Sequence, residues 1–431
     1  MPTDPFSAGE TPRTRAAALL ARLTRSPLVA NTISYTINFG LQLVIQLGFF
    51  MLISRTLGAH GYGVFVSITS VSIIAALMIG LGSEYLLVQR VAVEPKSFPV
   101  YFGHALIMMA LTFPLVGLPT LFFLHHLLGD AIALLPLVVI SLSDLLFTRL
   151  VVLAAQSYMA FDKAHRQLFI NVFAAASKLL FLFAAALVVP DLTVSGWAWW
   201  FFASGALSAL VAITFVVRDL GRPVLTVVRA DLKLSALYCL EFLSIGSMKD
   251  LDKPVVVHAL GAQAGGQYAA GFRIIDAASA PVRAFLYATY TRHFRYAEAG
   301  RDSSLAYGLK ILPFAAGLAV PVALVLFVAA DYIPLILGED FAGAPGVVKT
   351  LALYPLLMGF SGVGADILRA VGRQTTRMAL LIVTSLALIP AVWFGAAMGG
   401  LFGAALMRFL VQAVLIVATW AIVLRQKKSG G

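Results

Sequence analysis

The sequence predicts an all-α polytopic membrane protein of about 12 transmembrane helices, arranged as two parallel six-helix lobes. Three observations predict it. Of the 431 residues 60% are hydrophobic and only 12% charged, with mean hydropathy +0.93, far more apolar than a soluble globular domain. Apolar runs of roughly 20 residues, enough to cross the hydrocarbon layer, recur along the whole length. Short motifs of the first half also return in the second at a nearly constant offset.

The amino-terminal segment, residues 1–27, is polar and carries Arg13, Arg15, Arg22 and Arg25. No short apolar core with a cleavage site follows, so it reads as a cytoplasmic tail leading into a retained helix rather than as a signal peptide. Spans are expected at 28–53, 62–88, 98–125, 131–155, 167–189 and 194–217, which form the first lobe, 28–217. After a cytoplasmic linker, 218–231, the second lobe, 232–424, holds spans at 232–257, 262–290, 307–329, 344–368, 377–397 and 400–424, and 425–431 form a cytoplasmic tail. The single cysteine, Cys239, excludes an internal disulfide and reads as an inert packing residue.

Basic residues set the orientation. Even-numbered connections hold Arg90 and Lys96, Lys163 and Arg166, Arg218, Arg222, Arg229 and Lys233, Arg292, Arg295 and Arg301, and Arg369, Arg373 and Arg377. Odd-numbered connections hold Arg55 and otherwise acids such as Asp130, Asp191, Asp331, Glu339 and Asp340. This asymmetry predicts both termini on the cytoplasmic side of a bacterial inner membrane. The formal charge of +11 is thereby explained by topology, and no nucleic-acid partner is expected.

Leu57-Gly58-Ala59 matches Leu260-Gly261-Ala262, a shift of 203 residues, and Ala160 matches Ala370, a shift of 210. Each half has an even number of spans, so the repeats are parallel and related by an axis along the membrane normal. Two lobes around a central path follow.

Polar residues of the first span, Asn31, Tyr35, Asn38, Gln42 and Gln46, recur every three or four positions and form one helical stripe. Shifting by 203 carries Asn38 to Glu241 and Gln46 to Lys249, so the stripe continues on span seven, where Lys249, Asp250, Asp252 and Lys253 precede Pro254, which removes a backbone donor and is expected to kink the helix. Each intramembrane charge costs about 2.5–3.5 kcal/mol, which demands partners or an aqueous cavity. Lys249, Asp252 and Lys253 can touch, whereas Asp250 points about 100° away. They either line a hydrated cavity or form an ion pair that locks helices together. If Arg149, Lys249, Lys253 and Arg273 share one cavity, they form a cationic chamber for a phosphate or diphosphate. Asn38, Gln42 and Gln46 would line the sugar path. Arg55, Glu84 and Arg283 read as gate or anchoring residues, and Asp144 with Lys178 as a pair between spans four and five.

Other features point away from chemistry. His104, His125 and His126 sit in no cluster with metal-ligand spacing, so no metal is expected. Trp197, Trp199 and Trp200 read as an interfacial belt. GAQAGGQYAAG lacks the Lys-Ser/Thr ending of a phosphate loop and reads as helix packing or an outer turn. No serine or histidine has an orienting partner for acyl transfer, so enzymatic activity is not expected.

The segment 28–90, with SRTLGAHGYGVFVSITSVSIIAALMIGLG, together with GAQAGGQYAAGFRI and ADILRAVGRQTTR, resembles bacterial polysaccharide transporters of the multidrug, oligosaccharidyl-lipid and polysaccharide (MOP) exporter superfamily. The resemblance covers the whole transmembrane region and is more specific for the superfamily than for a substrate. It implies a V-shaped MOP/MATE-like transporter that alternates between inward-open and outward-open forms. Members resembling O-antigen or exopolysaccharide flippases move an undecaprenyl-diphosphate-linked oligosaccharide between leaflets, for lipopolysaccharide or exopolysaccharide biosynthesis. A monomeric transport unit, no cofactor, a polyprenyl-linked glycan substrate, membrane lipid, and a polysaccharide polymerase with glycosyltransferases as partners are implied. A proton or sodium gradient is the candidate energy source, with Glu241, Asp250, Asp252 and Asp276 as coupling carboxylates. The competing readings are a cation-coupled multidrug exporter of the same fold, which favours an acidic pocket, and a non-transporting membrane scaffold of a glycan-assembly complex. A peptidoglycan-precursor flippase is weakened by the absence of helices beyond twelve.

Overall fold

The computed structural model describes residues 27–425 apart from 299, with side chains from Gly40 onward except those of 291 and 301. The expected tails, 1–26 and 426–431, lie outside the described residues, as do the side chains of Asn31, Tyr35 and Asn38. The described chain is almost entirely helical. In order, the helices are α1 (Pro27–Ala76), α2 (Ser83–Val93), α3 (Phe98–Leu128), α4 (Leu134–Ala160), α5 (Ala164–Val188) and α6 (Val194–Leu220). The second lobe holds α7 (Leu232–Asp250), α8 (Asp252–Leu260), α9 (Ala262–Ala278), α10 (Ala280–Glu298), α11 (Arg301–Ala329), α12 (Ile333–Leu337), α13 (Ala344–Thr350), α14 (Tyr354–Ala370) and α15 (Gln374–Arg425). Seven stretches of the described residues are each long and apolar enough to cross a membrane, and α13 with α14, bent by 48°, contribute one more.

Two of these helices are hairpins. Gly58 interrupts α1 with φ 64° and ψ 179°, a left-handed conformation that glycine alone adopts without strain. The chain reverses there, which brings Phe50 and Tyr62 to 5.7 Å between ring centroids. The expected outer connection, 54–61, is thus almost entirely helical. Gly399 and Gly400 break α15 in the same manner, and Gly395 packs on the carbonyl of Gly403 across the turn. With each arm taken separately, the helices fall at the twelve expected positions.

Four spans are broken, three where the sequence suggested continuous helix and span seven where Pro254 predicts a kink. The second passes through Gly80, Leu81 and Gly82, all at positive φ, before α2 resumes; a Cβ on Gly82 would lie 2.5 Å from the carbonyl oxygen of Ser235 in the other lobe. Span seven breaks at Leu251, because Pro254 has no amide hydrogen for the carbonyl of Asp250. Span eight divides at Ser279 and span ten between Thr350 and Tyr354.

The repeat is visible in backbone geometry. Gly261, the counterpart of Gly58, has φ 88° and ψ 167°. At the second motif, the amide of Lys163 donates to the carbonyl of Tyr158 at 3.0 Å, and that of Arg373 to Leu368 at 2.8 Å, around Asp162 and Gly372, both at positive φ. The lobes meet through equivalent residues. A Cβ on Gly63 would lie 1.8 Å from the carbonyl oxygen of Ala262, and one on Gly266 1.9 Å from that of Ala59. Two pseudosymmetric backbone contacts therefore press α1 against α9, and only glycine permits them. Arg55 reinforces this end by donating from Nε to Ile336 O at 2.6 Å and from Nη2 to Leu335 O at 3.2 Å. It anchors one lobe on the other.

Each lobe buries an ion pair. In the first, Arg149 pairs with Glu84, their side chains 5% and 1% exposed. In the second, Arg408 lies 3.2 Å from Asp252 with both side chains fully buried, close though not aligned as a hydrogen bond. Tyr268 donates to the same Asp252 oxygen at 2.8 Å, and Arg408 donates to Tyr354 at 3.2 Å and stacks over Phe272. The linker after α6 runs extended along α3, where the amide of Val228 donates to His104 Nδ1 and Val224 to Pro99 O. Arg90 and Tyr101 both donate to Asp231 at its end, and the Arg90 guanidinium holds the Asp231 carboxyl below the usual carboxylate range. Trp197 is wholly buried against Phe65 and Phe201, so of the expected interfacial belt it belongs instead to the core, while Trp199 is exposed.

Gly63→Ala is expected to part the lobes at the Arg55 end, since 1.8 Å must grow past 3.4 Å for ordinary contact. Spin labels at the exposed positions His60 and Gln263, in a Cys239→Ser background, should report longer distances; an unchanged distribution would contradict the contact. Arg408→Met should lower stability by about 3–5 kcal/mol by stranding a buried carboxylate, and adding Asp252→Asn should recover part of it in thermal unfolding. The depressed Asp231 group stabilises the fold fully above the unfolded aspartate pKa of about 3.9 and progressively less as pH falls through its lower folded value. The stability difference between wild type and Asp231→Asn should therefore shrink to nothing under strong acid.

Candidate functional site

A cavity of about 480 Å³ lies between the lobes. Both arms of α1 line it with Gln42, Gln46, Phe49, Phe50, Tyr62, Phe65, Thr69 and Ser70. Asp144 reaches it from a π-helical turn in α4, Ser143–Thr148, Asn171 and Lys178 from α5, and Phe201 from α6. The second lobe supplies Lys249, Asp250, Lys253, Ala269 and Arg273. The glycine contacts close the end nearer Gly58. Four basic side chains face two acidic ones, leaving an excess of positive charge beside an aromatic wall.

Lys249, Lys253, Arg273, Gln42 and Gln46 therefore come together as expected, joined by Asp250. Arg273 Nη2 donates to Gln46 Oε1 at 3.3 Å, across the lobe boundary. Lys249 lies 3.4 Å from Asp276, which also accepts from Arg283 at 2.6 Å. Lys253 donates to Asp250 at 2.7 Å and to Lys249 O at 2.9 Å, and its ammonium sits 4.6 Å above Phe272.

Several expectations are corrected. Arg149 does not line the cavity, because α2 presents Glu84 to it inside the first lobe and neutralises it there. Glu84 accordingly serves that pair and not a gate. Asp252 keeps the expected contact with Lys253, at 3.6 Å, but the helix break at Leu251 alters the phase, so Asp250 also turns to the cavity and to Lys253, and the other Asp252 oxygen faces Arg408. Glu241 also lies outside the cavity lining, bonded by Gln374 at 2.5 Å with Arg377 at 3.5 Å and Arg369 at 3.6 Å. Arg283 serves Asp276, and Arg55 an interlobe anchor at the closed end. Asp144 and Lys178 both reach the cavity, but Asp144 accepts from Thr148 at 3.3 Å and Lys178 lies over Phe201 at 4.9 Å; the expected ion pair between them is not formed among the described residues.

Sequence reasoning missed Asn171 and Arg408 and gave Lys178 only a structural role. The signals were present. Asn171 and Lys178 are seven residues apart, two helical turns on one face, and Arg408 is the lone charged residue of its span. Among the described residues no group of histidine, cysteine and carboxylate side chains could hold a metal ion.

No protein-family model matches the sequence, and no curated protein does. Solved structures do match. An inward-facing multidrug resistance MATE family transporter of the MOP superfamily superposes with TM-score 0.73 at 15% identity, over 93% of this chain and 100% of its own. The lipid II flippase MurJ, in an inward closed conformation, gives TM-score 0.69 at 12% identity over 92% and 87%. A MOP superfamily transporter from Pyrococcus furiosus, described by a reverse polarity of its binding pocket that suggests a different function, gives 0.62 at 17% identity over 94% and 98%. At such identities the likeness concerns architecture, and it is consistent along nearly the whole of each chain: this protein is an all-α polytopic membrane protein whose fold is like that of these MATE-type transporter structures.

Proposed function

We propose that the protein moves an amphipathic anion across the bilayer by alternating access, and that the cargo is an undecaprenyl-diphosphate-linked oligosaccharide bound for surface polysaccharide. The observation that carries this reading is the net positive, partly aromatic cavity at the lobe boundary. A diphosphate and its sugars are what hydrocarbon rejects. Basic side chains and amides compensate that loss of water while a polyprenyl tail stays in lipid between the lobes. No covalent step is required. The glycine contacts and Arg55 close one end, so exchange of access means parting these contacts while the opposite end closes. Of the carboxylates considered for ion coupling, Asp250 lines the cavity and Asp276 pairs with Lys249, which lines it, whereas Asp252 and Glu241 are committed to other arginines.

A second reading is a cation-coupled multidrug exporter. It is supported by the solved structures, most of which are multidrug transporters of this fold, and by Asp144 and Asp250 among the aromatic lining. Charge separates the two. Purified protein in liposomes should accelerate leaflet exchange of a fluorescent polyprenyl-diphosphate oligosaccharide, and Arg273→Ala should slow it about tenfold or more, the scale of one lost charged hydrogen bond. Uptake of ethidium with no effect on the diphosphate would establish the exporter instead. Movement of neither, under proton and sodium gradients, would favour a scaffold.

A further inference from the structure

The cavity cations differ in what already holds them. Lys253 is bonded to a carboxylate, a backbone carbonyl and an aromatic face, and Lys249 shares Asp276 with Arg283. These groups carry their own counterions. In direct contact, Arg273 has a neutral amide, Gln46, and Lys178 the face of Phe201; Asp144 acts on Lys178, and Asp250 and Asp276 on Arg273, only from beyond ion-pair distance. An incoming anion must displace what is present. Separating the mostly buried Lys253–Asp250 pair costs more than displacing an amide or a ring; Lys249 is half exposed, and there it is the carboxylate of Asp276, already beside it, that disfavours a second anion.

We infer that Lys178 of the first lobe and Arg273 of the second are the two groups that grip the anionic headgroup, bridging the lobes, while Asp250 and Asp276 occupy Lys253 and Lys249 as built-in anions. This rests on the anionic-carrier reading above and names the residues that execute it. A diphosphate suits the pair, since one phosphate can take the guanidinium fork and the other the ammonium. Asp250, bonded to Lys253, repels a second anion from that ammonium. Asn171, two turns before Lys178, lines the same wall and offers a neutral donor and acceptor for sugar hydroxyls.

The bridge also couples binding to conformation. An anion held from both lobes is bound most tightly when Lys178 and Arg273 face one cavity, so it favours conformations that keep the lobes in register. Binding in one lobe alone would shift nothing.

The test is binding of farnesyl diphosphate to the purified full chain in nanodiscs, followed by tryptophan fluorescence, with farnesol as the uncharged control. Lys178→Gln and Arg273→Gln are each expected to weaken binding about tenfold or more, and Lys249→Gln about threefold or less. Lys178→Arg, which keeps the charge, should stay within about threefold of wild type, and monodisperse elution shows that each variant is folded. Binding unaffected by Lys178→Gln, or weakened more by Lys249→Gln than by Lys178→Gln, overturns this assignment and leaves the anionic-carrier reading standing. Equal loss in Lys178→Gln and Lys178→Arg also overturns it. A wild type that binds farnesyl diphosphate no better than farnesol overturns the carrier reading itself.

Discussion

Gly63 and Gly266 fix where the lobes can touch. Each sits against a backbone carbonyl of the opposite lobe, and the two carbonyls belong to Ala262 and Ala59, residues related by the same internal shift. The contact is therefore made twice by one local geometry, as expected when a duplicated helical hairpin packs on its own copy. It depends on absent side chains, and it brings α1 and α9 to backbone distance at one end. The wedge of space left between them is the cavity. Arg55 adds directional bonds at the sealed end, and Tyr62 meets Phe341 edge to face.

The second constraint is the cost of charge in a bilayer. Arg149 with Glu84 and Arg408 with Asp252 are neutralised inside single lobes, so each lobe can move as a rigid body without exposing a charge. Such pairs add little stability over apolar packing, but losing one partner is severe. Charges at the lobe boundary obey a different rule. There water has access, and Lys249 remains half exposed beside its carboxylate.

This division explains which features were legible in the sequence. Span positions, the repeat and the polar stripe through Gln42, Gln46 and Lys249 depend on periodicity along one chain, which sequence displays directly. The Gly58 and Gly261 turns announced themselves through the shared Leu-Gly-Ala motif. What failed depends on partners distant in sequence. Arg149 was placed in the cavity because nothing local shows that Glu84, 65 residues earlier, faces it. Asp250 was turned away from Lys253 because a helix phase was carried through a break that Pro254 imposes. Lys178 was given to Asp144 on grounds of opposite charge, yet an aromatic face met it first.

On the proposed anionic-carrier reading, what is bound must also be released. A chamber of four uncompensated cations would hold a diphosphate too firmly to let it leave on the far side, since every added charge-assisted bond deepens the bound state without lowering the barrier between conformations. Internal carboxylates solve this by making part of the positive field unavailable. They keep the cavity basic enough to admit a dianion and occupied enough to limit its hold, and as the lobes separate the Lys178 and Arg273 contacts cannot both persist. Under that proposal the acidic residues do not oppose anion binding; they set the affinity at which a bridging anion can be exchanged.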